Sequence, residues 1–231
     1  MIPAYFNWSG GKDSTFALYR ILQEKKYEVQ FLVTTVNSDA QRVAMHGVRI
    51  ELMQEQAKQI GIPLIIIEYP TSADMDAYEN AMSKGLQPIL DKGIKTAIFG
   101  DIFLEDLKEY RINKLKEIGV EAVFPLWKEN TADLVNRFVE LGFKTLVVCV
   151  DSSKLGEEFI GKTITNEWIN SLPEDVDPCG ENGEFHTFVY DGPIFKKPVH
   201  FEIKEIVSRR YPSTTKDKNE QKWEFLFVDL V

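Results

Sequence analysis

Short apolar runs alternate with amphipathic stretches over the first 150 residues of the chain. The apolar runs are rich in β-branched and aromatic residues and predict strands at residues 4–8, 29–36, 64–68, 95–99, 120–124 and 143–150. Apolar residues at helical spacing predict helices after Ser14 and at residues 48–60, 74–90, 104–118 and 131–141. Strands that are apolar almost throughout are typical of a parallel sheet covered on both faces. The alternation therefore predicts an α/β fold, with helices on both faces of a parallel sheet and right-handed crossovers.

The pattern changes near residue 150, where loop-like and polar segments containing proline and glycine become frequent. A short helix is predicted at residues 166–171 and a strand at residues 185–190. Two longer strands, at residues 199–210 and 223–231, are predicted to pair antiparallel through a polar link at residues 212–222. We therefore expect two domains, a nucleotide-type domain at residues 1–150 and a smaller α+β domain at residues 151–231.

Charge and cysteine content narrow the function classes. The 231 residues carry a net charge of −9, which argues against sequence-independent nucleic-acid binding. Two cysteines, Cys149 and Cys179, do not make a disulfide framework. The N-terminus lacks a basic-then-apolar signal region and no apolar run is long enough to span a bilayer, so we expect a cytoplasmic protein.

A glycine turn joins the first predicted strand to the first predicted helix, and it reads Ser9-Gly10-Gly11-Lys12-Asp13-Ser14. Glycines allow positive φ and close approach of an anion to the backbone. The free N–H groups and the dipole of the helix N-terminus favour a phosphate there, and serine hydroxyls and a lysine add to this. The turn is neither a Walker loop, because Gly11-Lys12 is followed by aspartate, nor a G-x-G-x-x-G fingerprint.

Further candidates follow the predicted strands, where parallel sheets bind their ligands. They are His46, after the second strand, and Gly100 and Asp101, after the fourth. His46 has the alternative of a surface histidine before a helix, and Asp101 that of a helix cap.

A second loop, residues 180–187, combines two glycines with two carboxylates in the sequence G-E-N-G-E-F-H-T. Glu181 and Glu184 are suited to hold Mg²⁺, to orient an amine or to accept a proton. A solvated acidic turn is the alternative.

The turn at residues 9–14 resembles the S-G-G-x-D-S pyrophosphate loop of the ATP pyrophosphatases. Together with residues 180–187, with I-F-G-D at residues 98–101 and with F-P-L-W at residues 124–127, it resembles the diphthine–ammonia ligase family. The resemblance implies a Rossmann-like (HUP) fold and cleavage of ATP to AMP and pyrophosphate. In that family ATP adenylates a carboxylate of diphthine in elongation factor 2, and ammonia displaces AMP to give an amide. Asn182 and His186 stand where the family signature has glycine and glutamate, so the resemblance bears more on the ATP chemistry than on the acceptor.

The resemblance also implies roles for individual residues. The cradle of the β and γ phosphates would consist of Ser9, Gly10, Gly11, Lys12, Asp13 and Ser14. Residues 33–36, with Thr34 and Val36, would lie beside the adenine, and Gly100 and Asp101 would complete the nucleotide site. Mg²⁺ would bridge the phosphates near Asp13, Asp101 or Glu184. His46 would contact the α-phosphate or the acceptor, and the acceptor-side candidates are Glu181, Glu184 and His186.

The expected partners are ATP, ammonia or another amine, and a carboxylate acceptor that is protein-bound diphthine or a small molecule. We expect neither a membrane nor a nucleic acid as a partner and leave self-association into a homo-oligomer open. Two other interpretations stay open, an ATP-dependent tRNA-modifying enzyme and a non-catalytic ATP-binding sensor. The acidic charge and the missing C-x-x-C pair disfavour the first of these.

Overall fold

A mostly parallel sheet forms the first part of the computed structural model, which describes residues 1–43, 46–211 and 223–231. Its strands are β1 (Ile2–Asn7), β2 (Tyr27–Asn37), β3 (Arg42–Val43), β4 (Leu64–Tyr69), β5 (Thr96–Ile98) and β6 (Glu121–Val123). The order is β3-β2-β1-β5-β6, and β4 also pairs with β2. The pairs among β4, β2, β1, β5 and β6 are parallel, as the alternation of elements predicted, and only the short β3 runs antiparallel to β2.

The helices lie where the spacing of apolar residues predicted them, within a residue or two at most ends. They are α1 (Lys12–Glu24), α2 (Ile50–Ile60), α3 (Met75–Leu90), α4 (Glu105–Glu117), α5 (Thr131–Glu140) and α6 (Asn166–Asn170). Local chemistry explains their ends: Asp74 and Asn130 accept hydrogen bonds at the starts of α3 and α5, and Gly61 ends α2 with a φ of +85°. Among the helices of the described ranges, none has both the length and the apolar character that crossing a bilayer demands.

A second, antiparallel sheet has the strand order β8-β7-β10-β9. Its strands are β7 (Lys144–Asp151), β8 (Phe185–Asp191), β9 (Ile203–Tyr211) and β10 (Trp223–Leu230). The antiparallel pairing of β9 with β10 is confirmed, and the polar link predicted at residues 212–222 lies outside the described residues.

The placement of the strand at residues 143–150 in the parallel sheet was wrong. The structure places it as β7 between β8 and β10, antiparallel to both. Six consecutive residues of β7 are buried, so its sequence is apolar on both faces. Such a run has the same appearance in a covered antiparallel sheet as in a parallel one, because only the neighbouring strands differ.

Helix α1 lies where the two sheets meet, and one apolar core contains side chains of both. Phe16 of α1 packs edge-on against Phe138 of α5, with ring centroids 6.2 Å apart, and Tyr19 packs similarly against Phe143. Helix α1 also contacts β8 of the second sheet. The N-terminus of α1 is therefore enclosed by both parts of the chain.

Candidate active site

The turn between β1 and α1 has the geometry that its sequence predicted. Gly10 has a φ of +76°, a left-handed conformation that favours glycine. The Ser9 hydroxyl donates to Oγ of Ser14 at 3.0 Å and accepts from the N–H of Gly11 at 3.3 Å. The helical bonds begin immediately, since the N–H of Thr15 donates to the carbonyl of Gly11 at 3.0 Å. The strand thus ends in a tight loop that leads directly into a helix N-terminus.

The second sheet forms one wall of this loop through strand β8. The N–H of Lys12 donates to Oγ1 of Thr187 at 2.9 Å, and the N–H of Val189 donates to the carbonyl of Gly10 at 2.9 Å. The sequence predicted a loop formed by the first domain alone, without these hydrogen bonds to β8. The loop conformation therefore depends on both parts of the chain.

Gln56 of α2 is a residue of the site that sequence analysis missed. Its side-chain amide donates to the carbonyl of Gly10 at 3.0 Å, although a glutamine in an amphipathic helix is usually taken to face water. The spacing along α2 does indicate that Gln56 is buried, because it follows the buried Met53 by three residues and lies beside the buried Ala57. A polar residue on the apolar face of a helix needs a buried partner.

Gly100, which follows β5, packs against the start of α1. A side-chain carbon at this position would lie 2.8 Å from the backbone N and Cα of Ser14. The structure thus gives Gly100 a packing reason to be glycine, and its predicted contact with a nucleotide stays a prediction.

Lys12 is almost fully buried, with 3% of its surface exposed. Its ammonium forms an ion pair with Asp13 at 2.8 Å and donates to the backbone carbonyl of Cys179. Burial alone would lower the pKa of Lys12, but the charge of Asp13 and its hydrogen bond to the ammonium outweigh burial, and the pKa is raised. The Lys12 ammonium therefore stays charged at neutral pH, and the carboxylate of Asp13 is its partner within the loop.

The pKa values of two carboxyl groups near the loop are raised. Burial, assisted by the charge of Asp13, raises the pKa of Glu181 to about 8. Burial also raises the pKa of Asp101, against the opposing effect of Arg111. Nε of Arg111 lies 3.3 Å from Oδ2 of Asp101 without hydrogen-bond geometry, and its guanidinium stacks on Phe99. Arg111 therefore lies partly buried between Asp101 and Phe99, although the many charged residues of α4 are typical of a solvated helix face.

Glu184 organises its own loop. It is 2% exposed and accepts hydrogen bonds from the N–H groups of Asp177 and Asn182, at 3.0 and 2.9 Å, and from the Asn182 side chain. The carboxylate thus faces the loop backbone. The residues of the described ranges contain no group of three or more histidines, cysteines or carboxylates placed to hold a metal ion. The structure therefore does not assemble Asp13, Asp101 and Glu184 into a magnesium site.

His46 and His186 form a pair beside the turn, with ring centroids 4.8 Å apart. Nδ1 of His46 lies 2.9 Å from the carbonyl of Thr187, which can only accept, so Nδ1 carries the proton. A side-chain carbon on Gly11 would lie 2.7 Å from Cε1 of His46, so this ring lies against the loop. Burial lowers the pKa of both histidines, and the proximity of His46 and Lys12 lowers that of His186 further. The pair is neutral at pH 7.

Thr34 and Val36 are buried in β2, as predicted for this strand. Val36 pairs with Glu68 of β4 on one side and with Val43 of β3 on the other. Its backbone is thus flanked by strands on both sides, and the predicted contact of residues 33–36 with adenine stays a prediction. Oγ1 of Thr34 is buried and has no hydrogen-bond partner among the described residues.

Two family models together match most of this chain. Diphthamide synthase N-terminal domain matches residues 4–122, and diphthamide synthase C-terminal domain matches residues 130–225. The chain belongs to the diphthamide synthase family. Within this family, the matched ranges contain both the turn of Gly10 and the loop of Glu181.

The chain is also similar to curated diphthine–ammonia ligases over less than half of its length. It is 30% identical to diphthine–ammonia ligase of Schizosaccharomyces pombe over 41% of the chain and 16% of that protein. It is 28% identical to the human diphthine–ammonia ligase over 45% of the chain and 41% of that protein. The similarity thus spans less than half of the length of either relative.

Among solved structures, the U34-tRNA thiolase NcsA from Methanococcus maripaludis, with its [4Fe-4S] cluster, is similar at a TM-score of 0.38. The sequences are 14% identical, and the likeness covers 60% of this chain and 56% of that one. We draw nothing about function from it.

Proposed function

We propose that the protein is an ATP-dependent ligase that forms AMP and pyrophosphate, adenylates a carboxylate and amidates it with ammonia, in the manner of diphthine–ammonia ligase. Membership of the diphthamide synthase family supports the reaction class. The observation that carries the proposal is the turn from Ser9 to Ser14, which ends a parallel strand and begins α1 with Gly10 at positive φ. The carboxylate acceptor and the nitrogen source belong to the proposal as well.

In this proposal the loop binds the pyrophosphate end of ATP. The amide groups of the first turn of α1 and the hydroxyls of Ser9 and Ser14 donate to phosphate oxygens. Lys12 contributes a positive charge, and its ion pair with Asp13 keeps both side chains at the loop. These groups stabilise the negative charge of the leaving pyrophosphate, which is the main requirement of nucleotidyl transfer.

The reaction has two steps. A carboxylate oxygen of the acceptor attacks the α-phosphorus, and the bond to the β-phosphate bridging oxygen breaks, which releases pyrophosphate. Ammonia then attacks the acyl carbon, AMP leaves, and the nitrogen loses a proton. The neutral imidazoles of His46 and His186 lie beside the loop, and we assign them to the acceptor side, where they can take up this proton. We assign Glu181 to the acceptor side as well, as a group that is mostly protonated at neutral pH.

Glu184 takes the role of a positioning residue in this proposal, because its carboxylate accepts hydrogen bonds within its own loop. The described side chains do not form a magnesium site by themselves. We therefore derive no step through a resident metal ion, and Mg²⁺ enters as part of the substrate MgATP.

The test follows the α-phosphate label of ATP in the presence of ammonium and a carboxylate acceptor. Elongation factor carrying diphthine is the first acceptor, and a panel of small carboxylic acids is the second. We expect labelled AMP to form. Labelled ADP would contradict the proposal, and ATP binding without any turnover would favour the sensor interpretation.

Two substitutions connect the loop to this reaction. We expect Asp13→Ala and Ser14→Ala to reduce AMP release by about 100-fold or more while circular dichroism shows a folded protein. Asp76→Ala, an exposed aspartate in the first turn of another helix, is the matched control and should retain full activity. Unchanged activity of both loop variants would remove the loop from the mechanism.

A further inference from the structure

Gln56 connects three separate segments through one side-chain amide. The residue is fully buried, with 0% of its surface exposed. Its Oε1 accepts from the indole N–H of Trp8 at 3.0 Å. Its Nε2 donates to the carbonyls of Gly10 and Val189, at 3.0 and 2.6 Å. The three partners lie just after β1, in the turn and in strand β8 of the second sheet.

These contacts use the hydrogen-bonding groups of a primary amide in full. Such an amide has two N–H donors and an oxygen acceptor, and each of these groups has a buried partner here. A carboxylate at this position offers no donor, and an apolar side chain leaves two buried carbonyls with fewer partners. The N–H of Val189 donates to the same Gly10 carbonyl at 2.9 Å, so Gln56 closes a small ring with the two backbones.

The fit between Gln56 and Gly10 is also tight. A side-chain carbon added at Gly10 would lie 2.6 Å from Oε1 of Gln56 and 2.8 Å from the sulfur of Met53. The turn therefore packs closely against α2, and the side chains of Gln56 and Met53 leave no room for a side chain at Gly10.

We propose that Gln56 is a positioning residue for ATP: it sets the path of the phosphate loop at Gly10 and holds that loop in register with strand β8. This inference rests on the proposed function, because it requires ATP to bind at the turn. It goes further by making ATP affinity depend on a residue of α2 outside the turn. It also couples the ATP site to β8, the strand that carries His186 and Thr187.

The experiment measures MgATP binding by titration calorimetry at a temperature where each variant is folded. Gln56→Met keeps length and helix propensity and removes the hydrogen bonds. We expect its dissociation constant to rise about tenfold or more, as the loss of one effective hydrogen bond implies. Gln54→Met, an exposed glutamine on the same helix, is the control and should bind like the wild type.

Two outcomes overturn the inference in distinguishable ways. If folded Gln56→Met binds MgATP within roughly twofold of the wild type, Gln56 is a structural residue only and the proposed function stands. If the wild-type protein itself does not bind MgATP, the proposed function fails and the inference fails with it.

Gln56→Glu provides a second variant should the methionine variant fail to fold. A protonated glutamic acid donates one hydrogen bond, whereas the carboxylate donates none. We expect its affinity for MgATP, relative to the wild type, to recover as the pH is lowered from about 8 to about 6. A ratio near one at both pH values would contradict the inference. The indole N–H resonance of Trp8 should shift on MgATP addition in the wild type and not in this variant at the higher pH.

Discussion

At the scale of single residues, the site depends on where its protons reside. Glu181 has a pKa of about 8 in the folded protein because it is buried and lies near Asp13. In the unfolded chain the same group ionises with a pKa near 4.5. The folded state therefore binds the carboxyl proton of Glu181 more tightly than the unfolded state does. The stability that protonated Glu181 contributes is fully present below about pH 4.5 and is lost as the pH rises to about 8.

Above about pH 4.5 the buried Glu181 destabilises the folded state, because its carboxyl group ionises more readily in the unfolded chain. Glu181→Gln removes this destabilisation, because glutamine is neutral in both states. We expect the variant to gain stability over the wild type progressively between about pH 4.5 and pH 8, with no gain at lower pH. Urea unfolding at a series of pH values measures the difference. Glu157→Gln, at an exposed position, is the control. A pH-independent difference would contradict the assignment.

The histidine pair has the opposite dependence. Burial lowers the pKa of His186 well below 6.5, so the unfolded state takes up the proton first as the pH falls. Stability from the neutral pair is present above about pH 6.5 and lost below it. We expect His186→Gln to flatten the loss of stability between about pH 7 and pH 5, measured by thermal unfolding. The exposed His200→Gln should leave the slope unchanged.

Sequence reasoning at this scale found the turn because glycines and a helix start have a local signature. It did not find the contact of Gln56 with Gly10, because the two residues are separated by 46 positions in the sequence. It also missed the approach of Arg111 to Asp101, which joins a helix to the loop that precedes it. The many charged residues of α4 are typical of a solvated helix face, whereas the folded helix packs beside β6 and brings Arg111 to Asp101.

At the scale of elements, the approach of β5 to α1 leaves no room for a side chain at Gly100. Gly100→Ala would place a carbon 2.8 Å from the backbone of Ser14. Because these are backbone atoms, the contact can be relieved only if the start of α1 moves. We expect a loss of about 1–3 kcal/mol in the free energy of unfolding, as in overpacked cores, and weaker MgATP binding. Denaturant unfolding and calorimetry measure the two effects. Stability equal to the wild type would show that the turn can shift freely.

The strands and helices were predictable because their apolar spacing is regular. The partners of most strands were not predictable, and the pairing of β9 with β10 is the exception. Strand β7 has six buried residues in succession and carries no mark of its antiparallel neighbours. Strand β3, with two residues, is too short to show any period. Local pattern defines an element, and its neighbours depend on contacts across the whole chain.

At the scale of the whole molecule, an ion-pair cluster joins the second sheet to the segment before α2. Asp229 of β10 accepts from Arg42 at 2.6 Å and from Arg49 at 2.8 Å. The hydrogen bonds from these arginines hold the pKa of Asp229 at about 2, below its usual 3.8. Its contribution to stability is present above about pH 3.8 and is lost as the pH falls through about 2.

Asp229→Asn tests this connection. We expect a loss of about 1 kcal/mol in the free energy of unfolding at neutral pH, since the arginines are partly exposed and water screens the pair. The difference from the wild type should shrink in acid, where Asp229 is protonated in both states. Denaturant titrations at neutral and acidic pH measure it, and an equal loss at both would contradict an ionic origin.

The wall that β8 gives to the turn has a consequence for how such proteins diverge. Thr187 and Val189 hold the turn by hydrogen bonds, and His186 lies between the loop of Glu181 and these contacts. If the turn binds ATP as proposed, a chimera that grafts the second half of one homologue onto the first half of another should change ATP affinity together with acceptor preference.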